Sequence, residues 1–153
     1  VSGAGVLVVG YGNPLRGDDG VGWHAARLLA SDPRLDGARI LTYHQLAPEL
    51  AEEMSRASLV VLVDASTEGD PGSVRARKVE PHPAAPATWS HHFDPKALAW
   101  LTEAVYGATP PMVLVSVSAG SFAEGVGLSS TLERALPEVV EVVAGVVTGQ
   151  QHP

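Results

Sequence analysis

The chain has 153 residues, 45% of them hydrophobic, with a mean hydropathy of +0.11, enough for one domain with its own core and too apolar for a disordered segment. A formal charge of −7 and a pI near 5.2 speak against nucleic acid or an anionic membrane as partner. There is no cysteine, which excludes disulfides, thiolate nucleophiles and cysteine-based metal sites.

No basic n-region precedes the first apolar run, and no run is long enough to span a bilayer; a soluble cytoplasmic protein is expected. Val6-Leu7-Val8-Val9 predicts strand one. Val21, Ala25, Leu28 and Leu29 at helical spacing predict a helix from about Gly20 to Ser31, ended by Asp32-Pro33. Between them lies Gly10-Tyr11-Gly12-Asn13-Pro14-Leu15-Arg16-Gly17-Asp18-Asp19-Gly20-Val21-Gly22. In an open α/β sheet such a loop borders the ligand-binding crevice. The usual occupant is a phosphate, and two patterns speak against one. Gly10 and Gly12 fit the dinucleotide pattern Gly-x-Gly-x-x-Gly, but Leu15 stands third. Gly12 and Gly17 fit a P-loop, but Asp18 and Asp19 replace its Lys and Ser/Thr. Two carboxylates repel a phosphate and attract a cation. A helix cap accounts for one of them and leaves the other, so a functional role for at least one is favoured. His24, near the buried face of the helix, reads as a packed core or boundary residue rather than a ligand.

Arg39-Ile40-Leu41-Thr42-Tyr43 predicts strand two. His44-Gln45 follows at its carboxyl end, where a nucleotide site would want an acid for the ribose. Both are polar residues on the presumed rim, and ordinary loop polarity accounts for them equally well. Pro48 to Met54 predicts helix two, with Leu50, Ala51 and Met54 inward. Leu59-Val60-Val61-Leu62-Val63 is continuous and apolar, as in a central parallel strand buried on both faces. It ends in Asp64, which faces the same rim as Asp18-Asp19 unless it only caps a turn through Ala65-Ser66-Thr67. Ser73 to Val79 alternates and is charged, which suits an edge strand.

Glu80 to Phe93 is a long Pro-rich loop carrying Trp89-Ser90-His91-His92, just before a helix start at Asp94-Pro95. The two adjacent histidines are as good ligand candidates as they are ordinary surface residues. Pro95 to Tyr106 predicts helix three, and Met112 to Val117 another strand. A capping box, Ser130-Thr131-Leu132-Glu133, opens the last helix. Its core face is Leu132, Leu136, Val139, Val140, Val143 and Val147, and Pro137 predicts a kink. The order of elements gives a three-layer α/β/α sandwich, one domain over 1–153.

Three features meet at one rim: Asp19 or Asp18, Asp64, and His92 or His91. Two carboxylates and an imidazole suit nickel, zinc, manganese or iron. Three protein ligands with an open position mark a reactive or recognition site rather than a structural one. There is no His-Glu-x-x-His, and Ser116 occupies the first position where a Gly-x-Ser-x-Gly would surround Ser118.

The sequence resembles the hydrogenase maturation proteases, endopeptidases that trim the C-terminal extension of the [NiFe]-hydrogenase large subunit. The match covers nearly the whole chain. Residues 10 to 22 look like the family's opening signature, and Gly127-Leu128-Ser129 also looks familial. The resemblance implies a five-stranded, mostly parallel twisted sheet of phosphorylase/hydrolase-like form with one antiparallel edge strand, assigned to residues 73 to 79. It places the family's two metal-binding acids on Asp19 and Asp64, and its histidine, from a Ser-x-His pattern, on His92 rather than His91.

One departure concerns the segment after strand two. Several members carry an Asp-Gly-Gly type sequence there; this chain has His44-Gln45-Leu46-Ala47-Pro48-Glu49-Leu50, which looks like a different branch serving a different hydrogenase type. His44 and Gln45 are the candidates for substrate recognition. The implied activity is removal of the extension from a [NiFe]-hydrogenase large-subunit precursor after nickel insertion, by a cytoplasmic monomer. Nickel is carried by the precursor and read by Asp19, Asp64 and His92, with other divalent cations able to occupy the site in vitro. Water is the candidate nucleophile; whether nickel polarises the carbonyl or only positions it is open. Two other classes stay open at this point: a metal-dependent hydrolase of a small substrate, and a non-catalytic nucleotide-binding α/β module.

Overall fold

The apolar runs form the middle of a five-stranded sheet. The computed structural model of the chain describes residues 5–83, 94–122, 125 and 127–149. In chain order these form β1 (Val6–Tyr11), a 3-10 turn (Gly17–Gly20), α1 (Val21–Ala30), a second 3-10 turn (Pro33–Leu35), β2 (Arg39–Tyr43) and α2 (Leu50–Ser55). Then follow β3 (Leu59–Ser66), β4 (Val74–Lys78), α3 (Pro95–Tyr106), β5 (Met112–Ser118) and α4 (Ser130–Thr148). The strands lie in the order β2-β1-β3-β5-β4, all parallel to their neighbours except β4, which is antiparallel to β5 at one edge. This is the mixed sheet the resemblance implies, with the antiparallel edge inside residues 73 to 79.

Successive strand residues point to opposite faces, so each central strand feeds two cores. Val8, Val61, Val63, Val115 and Val117 pack against Val21, Ala25, Leu29, Leu132, Val139 and Val143 of α1 and α4. Leu7, Val9, Val60, Leu62 and Met112 pack against Leu50, Met54 and Leu98 of α2 and α3. Burial on both faces is why these strands read as unbroken apolar runs. Helix α1 comes close to the sheet because Gly22 meets Gly10; a Cβ on either would overlap backbone, that of Gly22 for position 10 and the Val63 carbonyl for position 22. No described helix is long and apolar enough to cross a membrane.

Several local expectations need correction. β1 and β3 run beyond their apolar stretches, to Tyr11 and Ser66, because hydrogen-bonded partners continue beside them: Tyr11 against Tyr43, and Asp64 to Ser66 against Ser116 to Ser118. Asp64 is therefore inside a strand and caps no turn. Leu28 is 46% exposed rather than inward, and lines a surface groove with Pro33, Pro137 and Val140 where α1 and α4 part. The cap of α4 is Ser129, not Ser130: its hydroxyl accepts from the Leu132 amide at 3.3 Å. The helix is continuous from Ser130 to Thr148 with Pro137 inside it.

Candidate active site

The loop after β1 turns on Gly12, whose φ of +135° and contact with the Asp19 carbonyl leave no room for a side chain. Its backbone amides can be followed one by one. The amide of Gly12 goes to the Tyr43 carbonyl, Asn13 to the Asp19 carboxylate, and Leu15 to the Asn13 side chain. Arg16 goes to the Asn13 carbonyl, Gly17 to Gly125, Asp18 to Ser121 and Asp19 to Arg16. Pro14 has no amide proton. Every donor from 12 to 19 thus has an acceptor within the protein, and none is left to cradle a phosphate. The nucleotide reading loses its binding element for that reason.

The two aspartates of this loop have separate jobs, and neither caps a helix. The cap positions of the 3-10 turn and of α1 are Arg16 and Gly20, with no side-chain cap bond at either. Asp18 is fully buried. It accepts from the amides of Gly120 (2.7 Å), Ser121 (2.9 Å) and Ser129 (2.7 Å) and from the Ser129 hydroxyl (2.8 Å). It therefore ties the β1–α1 loop to the β5–α4 loop and to the first turn of α4, where the helix dipole favours a negative charge. Burial works against its ionisation, but these four bonds prevail and hold its carboxyl below the usual range. Both of its oxygens are spent on structure.

Asp19 is half-buried, and one carboxylate oxygen accepts from the Asn13 amide at 2.7 Å. Among the described residues no donor meets the other oxygen. Asp64 lies on the α2–α3 face of β3 and accepts from the Tyr11 hydroxyl and the Ala65 amide. Burial, reinforced by the charge of Asp19, pushes its carboxyl up to about 7 despite those two bonds. The Tyr11 hydroxyl is itself held above its usual range, first by burial and then by Asp64, Asp94 and Asp19. Asp19, Asp64 and Asp94 thus share one neighbourhood around Tyr11. A carboxyl poised near neutrality beside a second carboxylate suits proton transfer or a cation.

His92 and His91, with Trp89 and Ser90, lie outside the described residues. The described chain resumes at Asp94, the N-cap of α3, whose side chain accepts from the Ala97 amide at 2.7 Å. Among the described residues no group of three or more His, Asp or Glu stands ready to hold a metal; what they supply is the acidic pair. His24 is half-buried on α1. His44 and Gln45 are exposed just past β2. The His44 ring meets the edge of Trp23 at 5.3 Å, and the Trp23 indole donates to the Tyr43 carbonyl at 3.1 Å. Ser118 is no free nucleophile: its hydroxyl donates to the Glu68 carbonyl at 2.6 Å and lies 2.8 Å from that of Ser73.

Tyr11 and Trp23 went unnoticed in the sequence. Tyr11 had a legible signal: with Leu7 and Val9 it keeps the two-residue period, which puts it on the face of Asp64. Trp23 had none, because its partner is a carbonyl of β2, twenty residues along the chain.

No protein-family model and no curated protein matches the chain. Solved structures do. The hydrogenase maturating endopeptidase HybD from Escherichia coli superposes with a TM-score of 0.74 at 26% identity, over 95% of this chain and 93% of that one. The solution structure of an endopeptidase from Escherichia coli gives 0.68 at 26% identity, over 94% and 93%. The [NiFe] hydrogenase maturation protease HycI from Thermococcus kodakarensis gives 0.72 over 94% and 92%; at 21% identity that likeness is one of fold. With the same sheet, near-complete mutual coverage and an acidic pair at the carboxyl ends of its strands, the chain has the fold of the hydrogenase maturation endopeptidases and is, like them, a peptidase.

Proposed function

We propose that this peptidase removes the C-terminal extension of a [NiFe]-hydrogenase large-subunit precursor after nickel insertion, and that Asp19, Asp64 and His92 meet the nickel borne by that precursor. The Asp19–Asp64 pair carries this reading. Burial, with the charge of Asp19 added to it, raises the cost of ionising Asp64 and pushes its carboxyl up to about 7. A divalent cation between them removes that repulsion and displaces the Asp64 proton. The donor set is oxygen-rich and the chain has no cysteine, so it is poorly suited to holding nickel tightly by itself. A metal centre that arrives with its own ligands supplies the rest, and its presence certifies that the cofactor is in place. Water is the nucleophile in this reading, since no side chain of the chain declares itself one. His44 and Gln45 act in the choice of precursor. The enzyme works as a cytoplasmic monomer.

The test compares purified nickel-loaded and nickel-free precursors, each mixed with metal-free protein and followed by intact mass. Trimming of the loaded precursor only is the expected result. Equal rates on both would replace nickel recognition with simple hydrolysis of an exposed tail.

A further inference from the structure

Side chains in register across the sheet share a face, so the neighbours of Asp64 can be read from strand pairing. Asp64 pairs with Ser116 on β5, and Ser116 pairs with Arg75 on β4. Two residues further along β4, Arg77 pairs with Leu114. Arg75 and Arg77 therefore stand on the Asp64 face of the sheet. A shallow groove joins the two ends: it starts at Asp64, crosses Ser116 and Leu114, and reaches Arg77, with Thr67 and Glu68 along its side.

Charge separates the ends of this groove. Asp19, Asp64 and Asp94 gather at one end. The other end is β4, Val74-Arg75-Ala76-Arg77-Lys78, which holds three of the chain's ten Lys and Arg residues in five positions. All three are exposed, and among the described residues no acid pairs with them. By contrast Arg34, Arg39 and Arg56 are each ion-paired at 2.8–2.9 Å. Charge on an edge strand also discourages edge-to-edge association. That role is indifferent to which face carries the arginines and does not place one in a groove with Asp64.

We propose that Arg77, supported by Arg75, binds a carboxylate of the substrate peptide and thereby selects and orients the tail to be cut. The inference rests on the processing reading above. Two strand spacings across and two residues along the sheet separate Asp64 from Arg77 by roughly 12 Å, or three to four residues of extended chain. A guanidinium grips a carboxylate with two parallel hydrogen bonds. The acidic end of the groove repels the same group, so a peptide lies in only one direction. The carboxylate is an acidic side chain of the extension or the extension's own C-terminus; the chemistry is shared.

The experiment uses the full chain and its cognate nickel-loaded large-subunit precursor, with KM, kcat and binding affinity measured for wild type, Arg77→Gln, Arg77→Lys and Arg27→Gln. Arg27 is exposed on α1, outside the groove, and serves as control. Arg77→Gln should raise KM and Kd by about tenfold or more, the size of one charge-assisted contact, with kcat within about twofold. Arg77→Lys should recover part of the loss, and Arg27→Gln should match wild type. Two altered precursors identify the source: one with the acids of the extension changed to amides, one with a few residues added beyond its end. Whichever contains the relevant change should bind weakly to wild type and be indifferent to Arg77→Gln. Unchanged KM and Kd in Arg77→Gln, or an effect that both altered precursors retain, would overturn the inference while wild-type trimming left the processing reading intact. A wild-type chain that trims no loaded precursor would instead overturn the processing reading, and this one with it.

Discussion

Asp64 keeps its proton up to about pH 7 because it is buried beside Asp19, and this has a measurable cost. A carboxyl whose folded pKa is raised destabilises the fold wherever it must ionise: not below about pH 4, increasingly from there to about 7, and by a constant amount above. Asp64→Asn removes the cost and still offers the Tyr11 hydroxyl an acceptor. Urea unfolding should find this variant more stable than wild type by on the order of 2 kcal/mol at pH 8, and equal near pH 4. Its processing activity should be lost. A variant less stable at pH 8 would mean that Asp64 serves the fold. Asp18 has the opposite sign. Its carboxyl is held below the usual range, so its contribution is complete above about pH 4 and fades as pH falls through the lowered pKa. Asp18→Asn turns an amide NH₂ toward a cluster of donors and should cost about 2–4 kcal/mol at pH 7, a loss that shrinks in acid.

At the scale of elements, α4 depends on the residue that links it to Asp18. The Ser129 hydroxyl accepts from the Leu132 amide and donates to Asp18, so it caps the helix and satisfies the buried carboxylate together. Ser129→Ala should lower stability by about 1–2 kcal/mol, whereas Ser130→Ala should stay within about 0.5 kcal/mol. The reverse order in thermal denaturation would restore the capping box at Ser130. The seat of α1 is as specific. Gly22 faces the Val63 carbonyl, which is 2.6 Å from where a Cβ would lie, so α1 must lift off the sheet in Gly22→Ala. A loss of about 1–3 kcal/mol follows from such overpacking, read as a shift in the urea midpoint.

Across the whole molecule the two cores lie among Val, Leu and Met side chains of strands and helices, while the acidic pair sits at the carboxyl ends of the strands. On the proposed reading, function and folding are therefore separable. Asp19→Ala, Asp64→Ala and His92→Ala should each abolish precursor trimming while leaving far-UV circular dichroism and cooperative unfolding intact. Asp19→Glu should keep some activity, and His91→Ala should be mild. Full activity in His92→Ala with loss in His91→Ala would exchange the roles of the two histidines.

The three layers, the central and edge strands and the likeness to the hydrogenase maturation proteases were all legible in the amino-acid order. Unbroken apolar runs such as Leu59–Val63 are legible because burial on both faces leaves a local record in composition. The charged alternation of 73 to 79 marked the edge, because exposure too leaves a local record in composition. The loop from Gly10 to Gly22 was legible because its glycines and aspartates are contiguous. Tertiary structure alone decided what each aspartate does. Asp18 and Asp19 are neighbours of one residue type, and their difference comes from donors about a hundred residues away, at Gly120, Ser121 and Ser129. Strand ends at Tyr11 and Ser66, the Tyr11–Asp64 bond and the placing of Arg77 in the groove with Asp64 likewise depend on pairing between distant segments. Hydrogen-bond partners and register are long-range properties, and local composition does not encode them.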